Sequence, residues 1–200
     1  MPVKGDLRRA RIQSAIAELL ETSHFEAISI AEITRRADVT RPGFYFYFPT
    51  KGAAVASLME GLFVEFEEAA RIWYEHRGEN QRAALRDGMQ ATVTLWRKHA
   101  LVMHGMVQAA SADAAAREVW DRWVSAFLAR AIPTVAADAG ANLRRAGADP
   151  TAVARVLVDA TFSAMARDVR AIVETGTETP DVVASLTHVW AQALYSTSRG

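Results

Sequence analysis

The chain has 200 residues, half of them hydrophobic, with no cysteine and a formal net charge of zero. These values exclude an intrinsically disordered chain, a disulfide-stabilised secreted domain and a metal site built from thiolates. No stretch is apolar enough to span a membrane and no signal peptide is evident, so we expect a cytoplasmic protein.

The positive charge is concentrated towards the N-terminus. Residues 1–51 hold eight Lys or Arg against six Asp or Glu, whereas residues 52–79 hold two against six. A nucleic-acid partner is therefore compatible with a net charge of zero, because the local distribution decides phosphate binding.

Three short helices are predicted first. The first has apolar residues at helical spacing (Ile12, Ile16, Leu19, Leu20) preceded by arginines (Arg8, Arg9, Arg11). Ser29 and Glu32 form a capping box, so a second helix begins there and runs to about Ala37. After a turn, Thr40 is expected to cap a third helix that has Pro42 in its first turn. Two short helices joined by a tight turn predict a helix-turn-helix.

The third helix contains five consecutive aromatic residues, Phe44–Phe48, between Pro42-Gly43 and Pro49. A core strand would not begin with Pro-Gly and end at a proline, and a core helix would not place rings on every side. Some rings must therefore face solvent, and an exposed aromatic patch usually marks a binding surface. With Arg41 before the run and Lys51 after it, the pattern indicates a recognition helix for a nucleic-acid backbone and base edges.

Residues 6–51 resemble the DNA-binding domain of TetR-type transcriptional regulators. The resemblance rests on the basic first helix and on Ser29–Lys51, with its aromatic-Tyr-X-Tyr-Phe core followed by Thr-Lys. The Arg-Pro-X-Phe-Tyr-Phe-Tyr-Phe-Pro form and the tryptophan-rich C-terminal half are most similar to the ethionamide-resistance regulator branch. One departure is Gly52, where the family often has glutamate, and this glycine weakens the helix start by up to about 1 kcal/mol.

The resemblance implies an all-α fold, with residues 1–51 as the DNA-binding domain and residues 52–200 as a ligand-binding and dimerisation domain. It also implies a repressor that binds a palindromic operator and is released by a small hydrophobic ligand. We expect Lys51 and Tyr47 to bind phosphates, and we expect the three phenylalanines to be divided between core packing and a thymine-methyl contact. The DNA-binding candidates are Thr40, Arg41, Gly43, Phe44, Tyr45, Tyr47 and Lys51.

Only helices are predicted after Lys51. An apolar stripe from Val55 to Phe66 predicts a long connector helix ending near residues 77–78. Ser111 is expected to cap a later helix and Pro133 to kink it, and the loop 139–149 is expected to follow. The three middle helices are predicted at about 80–98, 100–110 and 112–138.

The last two helices are predicted at about 150–174 and 180–197, each opened by a capping residue before proline, in Asp149-Pro150 and Thr179-Pro180. Both have more than one apolar face, so each must bury two faces. One face is expected against the protein's own core and the other against a second subunit, in a two-fold dimer.

TetR-type proteins pair through this helix pair, so the resemblance also implies a homodimer. The alternative is a monomer in which both helices are fully buried.

All five tryptophans lie in residues 52–200, together with several methionines and phenylalanines. Core packing is one interpretation of these residues, and an apolar tunnel for a small hydrophobic ligand is the other. In the resembling branch the matching positions line a narrow ligand channel. The residues assigned to it here are Trp96, Met103, Met106, Trp120, Phe127, Phe162 and Trp190.

No catalytic or metal-binding motif is found. The five histidines form no pair with metal-ligand spacing, and no phosphate-binding loop, nucleophile elbow or dinucleotide fingerprint is present. We therefore expect no enzymatic activity, no cofactor and no metal. Two alternatives remain open: a small-molecule sensor or carrier with a silent DNA-binding helix, and an α-helical enzyme acting on an apolar substrate.

Overall fold

A computed structural model describes residues 4–76 and 80–195, and these form ten α-helices. The helices are α1 Lys4–Leu20, α2 Ile30–Ala37, α3 Arg41–Tyr47, α4 Lys51–Ala56, α5 Met59–Tyr74, α6 Gln81–Lys98, α7 Ala100–Ala112, α8 Ala114–Arg145, α9 Pro150–Thr175 and α10 Val182–Tyr195. These two ranges contain no strand, and the predicted all-α class is confirmed. Within the same ranges, no helix combines the length and apolarity needed to cross a membrane.

The chain divides into two compact units. The first comprises the residues up to Phe63 together with His99–Arg122, and the second comprises Val64–Lys98 together with the residues from Trp123 onwards. The first unit therefore takes in more of the chain than residues 1–51, because it also contains α4 and α7.

The core of the first unit forms around α1, which packs against α2, α4 and α7. Ile12 and Ile16 of α1 and Ile33 of α2 are fully buried. Gly105 allows α7 to approach α1 closely, since a Cβ atom added there would lie 2.8 Å from Leu20 Cδ2. The apolar face predicted for the first helix thus contacts both the helix-turn-helix and α7.

The helix starts around the turn follow the predicted caps. Ser29 Oγ accepts a hydrogen bond from the Glu32 N–H at 3.2 Å, and the Glu32 carboxylate accepts one from the Ser29 N–H at 2.9 Å. Thr40 Oγ1 accepts from the Gly43 N–H at 3.1 Å. Between the two helices, Asp38 is left-handed at φ 50°, a conformation that aspartate tolerates better than most residues. The predicted helix-turn-helix is confirmed as α2, turn and α3.

The continuous connector helix predicted after residue 51 is wrong, because Ser57 and Leu58 interrupt it between α4 and α5. Gln13 of α1 donates from Nε2 to the Ser57 carbonyl at 3.3 Å and to Ser57 Oγ at 3.0 Å. The Leu58 N–H reaches back three residues to the Val55 carbonyl at 3.0 Å, which is a tighter turn than an α-helix. The predicted end of the connector, at residues 77–78, lies outside the described residues.

Both predicted ends of α8 are wrong. Asp113 caps it, since Asp113 Oδ1 accepts from the Ala116 N–H at 3.1 Å, whereas the predicted cap Ser111 bonds to a carbonyl within α7. The helix continues to Arg145 through most of the predicted loop 139–149. This segment is rich in alanine, which has the highest helix propensity, and its buried positions add packing.

The predicted start of α9 is confirmed, whereas α10 begins later than predicted. The Asp149 carboxylate accepts from the Thr151 and Ala152 N–H groups at 3.3 and 3.0 Å. α10 begins at Val182 rather than at residue 180, because Asp181 adopts a left-handed φ of 56° that does not belong to a helix.

The second unit has an aromatic core. The rings of Trp96 and Trp123 stack with centroids 6.1 Å apart, and Phe66 meets both edge-on at 6.4 and 5.1 Å. In the same unit α6 packs against α9 and α10. Burial of these large rings contributes much of the free energy that holds the helices together.

A buried ion pair links α6, α9 and the loop before α10. Asp168 accepts hydrogen bonds from the Arg97 guanidinium at 2.8 and 3.2 Å and from the Thr179 N–H at 2.7 Å. Burial alone would raise the pKa of Asp168, but these hydrogen bonds and the Arg97 charge outweigh it and hold the pKa below its ordinary value. The carboxylate therefore stays ionised in the folded protein at neutral pH.

Candidate nucleic-acid interface and apolar cavity

α3 separates its aromatic run into a buried face and an exposed face. Phe44 and Phe48 are buried, whereas Phe46 is 81% exposed and Tyr45 is 44% exposed. Positions four apart share a helix face, so Phe44 and Phe48 anchor α3 while Tyr45 and Phe46 face solvent. Tyr47 is half-buried, with its ring edge-on to Phe46 at 5.0 Å. Phe44, predicted among the DNA contacts, is thus an anchor of the helix whose ring does not reach the surface.

Thr40 and Arg41 are exposed at the start of α3. The Arg41 guanidinium lies 5.9 Å from the centroid of the Tyr45 ring, so a cation and an aromatic face are presented side by side. Gly43 adds no side chain, and a Cβ there would lie 3.1 Å from the Thr40 hydroxyl that caps the helix. Thr40, Arg41, Tyr45 and Phe46 together form an exposed patch, termed the reading surface below.

Lys51 is placed differently from the prediction. Its Nζ donates to the carbonyls of Phe25 at 2.6 Å, Ile28 at 2.7 Å and Glu26 at 3.4 Å, and it lies 4.1 Å from the Phe25 ring centroid. Burial lowers the pKa of Lys51, opposed by the charges of Glu26 and Glu32. An ammonium has three protons, and three carbonyls accept them here. The side chain thus ties α4 to the loop before α2, and the phosphate contact, which stays a prediction, would compete with these carbonyls.

Three arginines of α1 and α2 form exposed ion pairs. The pairs are Arg9 with Glu60 at 2.9 Å, Arg11 with Asp38 at 3.3 Å and Arg36 with Glu18 at 3.3 Å. Exposed pairs of this kind contribute only about 0–1 kcal/mol each. The three arginines are therefore held only weakly by their carboxylate partners.

The second unit contains an apolar cavity between α5, α6, α8, α9 and α10. Its volume is ≈ 70 Å³, which is smaller than is usual for the site of a drug-sized molecule. Its walls are almost entirely apolar or aromatic. The lining residues are Ala70, Trp73, Tyr74, Leu85, Gly88, Met89, Thr92, Trp96, Phe127, Val158, Thr161, Phe162, Met165 and Trp190.

Polar groups in the cavity wall bond mainly to one another or to backbone. Thr161 Oγ1 accepts from Trp190 Nε1 at 2.9 Å and donates to the Leu157 carbonyl at 2.8 Å. The Thr92 hydroxyl donates to the Gly88 carbonyl at 2.8 Å. A molecule in this cavity would therefore be held mainly by shape and by buried apolar area.

Four of the seven residues assigned to the ligand channel line this cavity: Trp96, Phe127, Phe162 and Trp190. The other three, Met103, Met106 and Trp120, lie in the first unit and do not line it. Met103 and Met106 are fully buried on α7, which packs against α1 and α4. The two methionines are therefore part of the core around the helix-turn-helix.

Sequence reasoning missed the α5 wall of the cavity and all of its α6 wall except Trp96. Leu85, Met89, Thr92 and Trp96 recur at spacings of three and four, which places them on one face of α6. This spacing is visible in the sequence, but it does not distinguish a core face from a cavity wall. Over the described ranges, no group of three or more His, Asp or Glu side chains is arranged to hold a metal ion.

Two family profiles match the chain. The profile "Bacterial regulatory proteins, tetR family" matches residues 12–58, and "Transcriptional regulator EthR, C-terminal domain" matches residues 85–196.

Among curated relatives, the HTH-type transcriptional regulator EthR of Mycolicibacterium smegmatis is 27% identical over 197 residues, covering 96% of this chain and 88% of that protein. EthR of Mycobacterium tuberculosis is 25% identical over 200 residues, covering 98% of this chain and 90% of that protein.

Solved structures show the same fold. A tetR-family transcriptional regulator from Streptomyces coelicolor has a TM-score of 0.61 at 19% identity, covering 96% of this chain and 82% of that one. Regulatory protein TetR from Rhodobacter sphaeroides also has a TM-score of 0.61, at 18% identity, covering 94% of this chain and 98% of that one.

Proposed function

We propose that this chain, which belongs to the TetR family of transcriptional regulators and has a C-terminal domain of the EthR type, is a dimeric repressor that binds a palindromic operator and is released by a small hydrophobic ligand. The family and the curated relatives are transcriptional regulators, so the chain is a regulator and not an enzyme. A sensor with a silent DNA-binding helix remains the alternative.

The observation that carries the proposal is the reading surface on α3. Thr40, Arg41 and Tyr45 offer hydrogen-bonding groups at the exposed end of a short helix held by two buried phenylalanines. Such groups suit base edges and phosphates in the major groove. The exposed ring of Phe46 suits a thymine methyl group. A rigid anchor with an exposed polar and aromatic face is what a recognition helix requires.

Exposed valines on the last two helices support the dimer. Val156 on α9 is 67% exposed and Val189 on α10 is 50% exposed. Burying such side chains against a second subunit gains about 1.5–3 kcal/mol each at most. A two-fold dimer formed in this way would read two half-sites about one DNA turn apart.

The same two helices would connect ligand and operator. α9 and α10 contribute Phe162 and Trp190 to the cavity wall and Val156 and Val189 to the proposed dimer face. A ligand that fits one arrangement of these helices better than another shifts the dimer towards that arrangement. The repressor is released when the arrangement that the ligand favours places the two α3 helices at a spacing that no longer fits the two half-sites. The resulting loss of operator affinity is the coupling free energy between the ligand site and the DNA site.

Replacing Val156 with glutamate tests the dimer and its role together. The two-fold symmetry would place two unpaired charges in the interface, so we expect a monomer whose operator affinity is at least about 100-fold weaker. Sedimentation velocity and DNA titration measure the two effects. Val64→Glu is the matched control, because Val64 is 65% exposed on α5, away from the proposed interface. A Val156→Glu protein that remains dimeric would overturn the assigned interface.

A further inference from the structure

The exposed part of α3 has two neighbouring edges with different chemistry. Arg41 and Tyr45, four residues apart, form one edge, on which the guanidinium lies 5.9 Å from the centroid of the phenol ring. Pro42 and Phe46, also four residues apart, form the other edge, and both are exposed. This second edge is termed the apolar edge below. Its two side chains contain no hydrogen-bond donor or acceptor, so it differs from the first edge in what it can bind.

Phe46 is the most exposed of the large hydrophobic side chains among the described residues, at 81%. The buried Phe44 and Phe48 hold α3 against the core, and Phe46 lies two residues, or about 200° around the helix, from each of them. Gly43, one turn earlier on the side of Phe46, adds no side chain that could cover the ring. The ring therefore points away from the core, on the surface that faces DNA in the proposed function.

The edges of the bases in the major groove of DNA are mostly polar. They present nitrogen and oxygen groups that donate or accept hydrogen bonds, and the apolar exception is the 5-methyl group of thymine. Covering a donor or acceptor with Phe46 would remove its water without replacing the hydrogen bond, which costs free energy, whereas covering a methyl group gains free energy. 5-Methylcytosine carries the same methyl group at the same ring position. An apolar side chain can therefore recognise the methyl group in either base.

We propose that the apolar edge of α3 recognises the 5-methyl group of a pyrimidine in each operator half-site, whether the base is thymine or 5-methylcytosine. The proposed function includes a contact with thymine, and this inference adds that the methyl group, rather than the base, is recognised. Methylation of a cytosine at the contacted position should thus strengthen repressor binding. The inference rests on the proposed function, in which α3 contacts the base edges of an operator.

Anisotropy titrations of the full-length protein test methyl recognition. The duplex is the palindrome enriched from a random pool of double-stranded DNA, and each of its thymines is replaced in turn by uracil, symmetrically in both half-sites. Uracil pairs as thymine does and lacks only the methyl group. At one position we expect binding to weaken about fourfold for each half-site, the factor that corresponds to one buried methyl group. With cytosine at that position, 5-methylation should strengthen binding by the same factor.

Two variants assign the methyl contact to Phe46. Phe46→Ala is expected to bind the thymine and uracil duplexes equally, and likewise the cytosine and 5-methylcytosine duplexes, with an unchanged thermal unfolding midpoint because the ring is exposed. Titrations at low salt keep its weaker binding measurable. Tyr45→Phe is the matched control, since Tyr45 lies on the other edge of the same helix and the substitution removes only its hydroxyl. It is expected to keep the full effect of the methyl group.

The outcomes separate methyl recognition from the proposed function. Equal affinity for thymine and uracil duplexes at every position, or an effect of the methyl group that survives in Phe46→Ala, would overturn methyl recognition and leave operator binding in place. Folded protein that enriches no palindrome would overturn the proposed function, and methyl recognition with it.

Discussion

Two cations flank α3, and they have different surroundings. Arg41 is exposed beside Tyr45, whereas the ammonium of Lys51 is bound to three carbonyls of the preceding loop. The exposed position of Arg41 follows from the capping of α3, and its contact with DNA stays a prediction. The sequence does not predict the surroundings of Lys51, because the carbonyls it binds are 23 to 26 residues away along the chain.

Replacing Arg41 with alanine is expected to weaken binding to DNA and to reduce the salt slope of the binding constant by up to about one, because one phosphate-neutralising cation is lost. The thermal unfolding midpoint should stay unchanged, since the side chain is exposed. Anisotropy titrations at several salt concentrations measure the slope. An unchanged affinity would remove Arg41 from the reading surface.

Replacing Lys51 with methionine is expected to lower the stability of the protein and to leave the salt dependence of DNA binding unchanged. The loss of charge-assisted hydrogen bonds to carbonyls of the preceding loop, which are only partly buried, should lower the free energy of unfolding by up to about 2 kcal/mol, measured by urea denaturation. The salt slope of DNA binding by the folded protein should stay as it is. If the variant is as stable as the unmodified protein but has a reduced salt slope of DNA binding, Lys51 binds a phosphate and does not have the structural role.

At the level of the helices, the sequence predicted the features that depend on neighbouring residues and did not predict those that depend on contacts between distant residues. The caps at Ser29, Thr40 and Asp149 depend on neighbours two or three residues away, so the sequence contains the whole motif. The break between α4 and α5 depends on Gln13, which lies 44 residues from Ser57. The spacing of apolar residues does not predict a hydrogen bond between residues so far apart in the chain.

The fourth helix provides a test of close packing. A Cβ atom at Gly52 would lie 2.4–2.7 Å from Asp113, the residue that caps α8. Gly52→Ala is therefore expected to lower the free energy of unfolding by about 1–3 kcal/mol despite the higher helix propensity of alanine. Gly61→Ala is the control, because nothing lies within 4 Å of its added Cβ, and it should gain about 0.5–1 kcal/mol. Equal effects in a urea titration would contradict the packing account.

The link between α6 and α9 should appear in the pH dependence of stability. Asp168 has a lowered pKa in the folded state, so its contribution is fully present above its ordinary pKa of 3.8 and is lost as the pH falls through the folded value. Asp168→Asn leaves Arg97 without its buried partner, so it should cost about 3 kcal/mol at pH 7.

Urea unfolding at several pH values measures this effect. The difference in the free energy of unfolding between the unmodified protein and Asp168→Asn should become smaller as the pH falls below about 4. Asp87→Asn, which removes an exposed carboxylate, is the control and should change stability by less than about 0.5 kcal/mol. A difference that is independent of pH would show that the carboxylate is not the source of the stability.

At the scale of the whole molecule, the sequence predicted the all-α class, the helix-turn-helix and the family. It predicted the cavity residues only in part. Apolar residues recur at the same helical spacing whether their helix face lies against a core or against a cavity, so the spacing cannot tell the two apart. Met103 and Met106 illustrate this, since both are fully buried around the helix-turn-helix and away from the cavity. Which apolar faces leave space between them depends on how the helices pack together.

Selection of bound sequences from a random pool of double-stranded DNA, at physiological salt, tests whether the dimer recognises an operator. We expect an enriched palindrome with half-sites about 10 base pairs, or one helical turn, apart, because a two-fold dimer presents the reading surface of α3 twice. Folded protein that enriches no sequence would contradict the proposed repressor and favour a sensor with a silent DNA-binding helix.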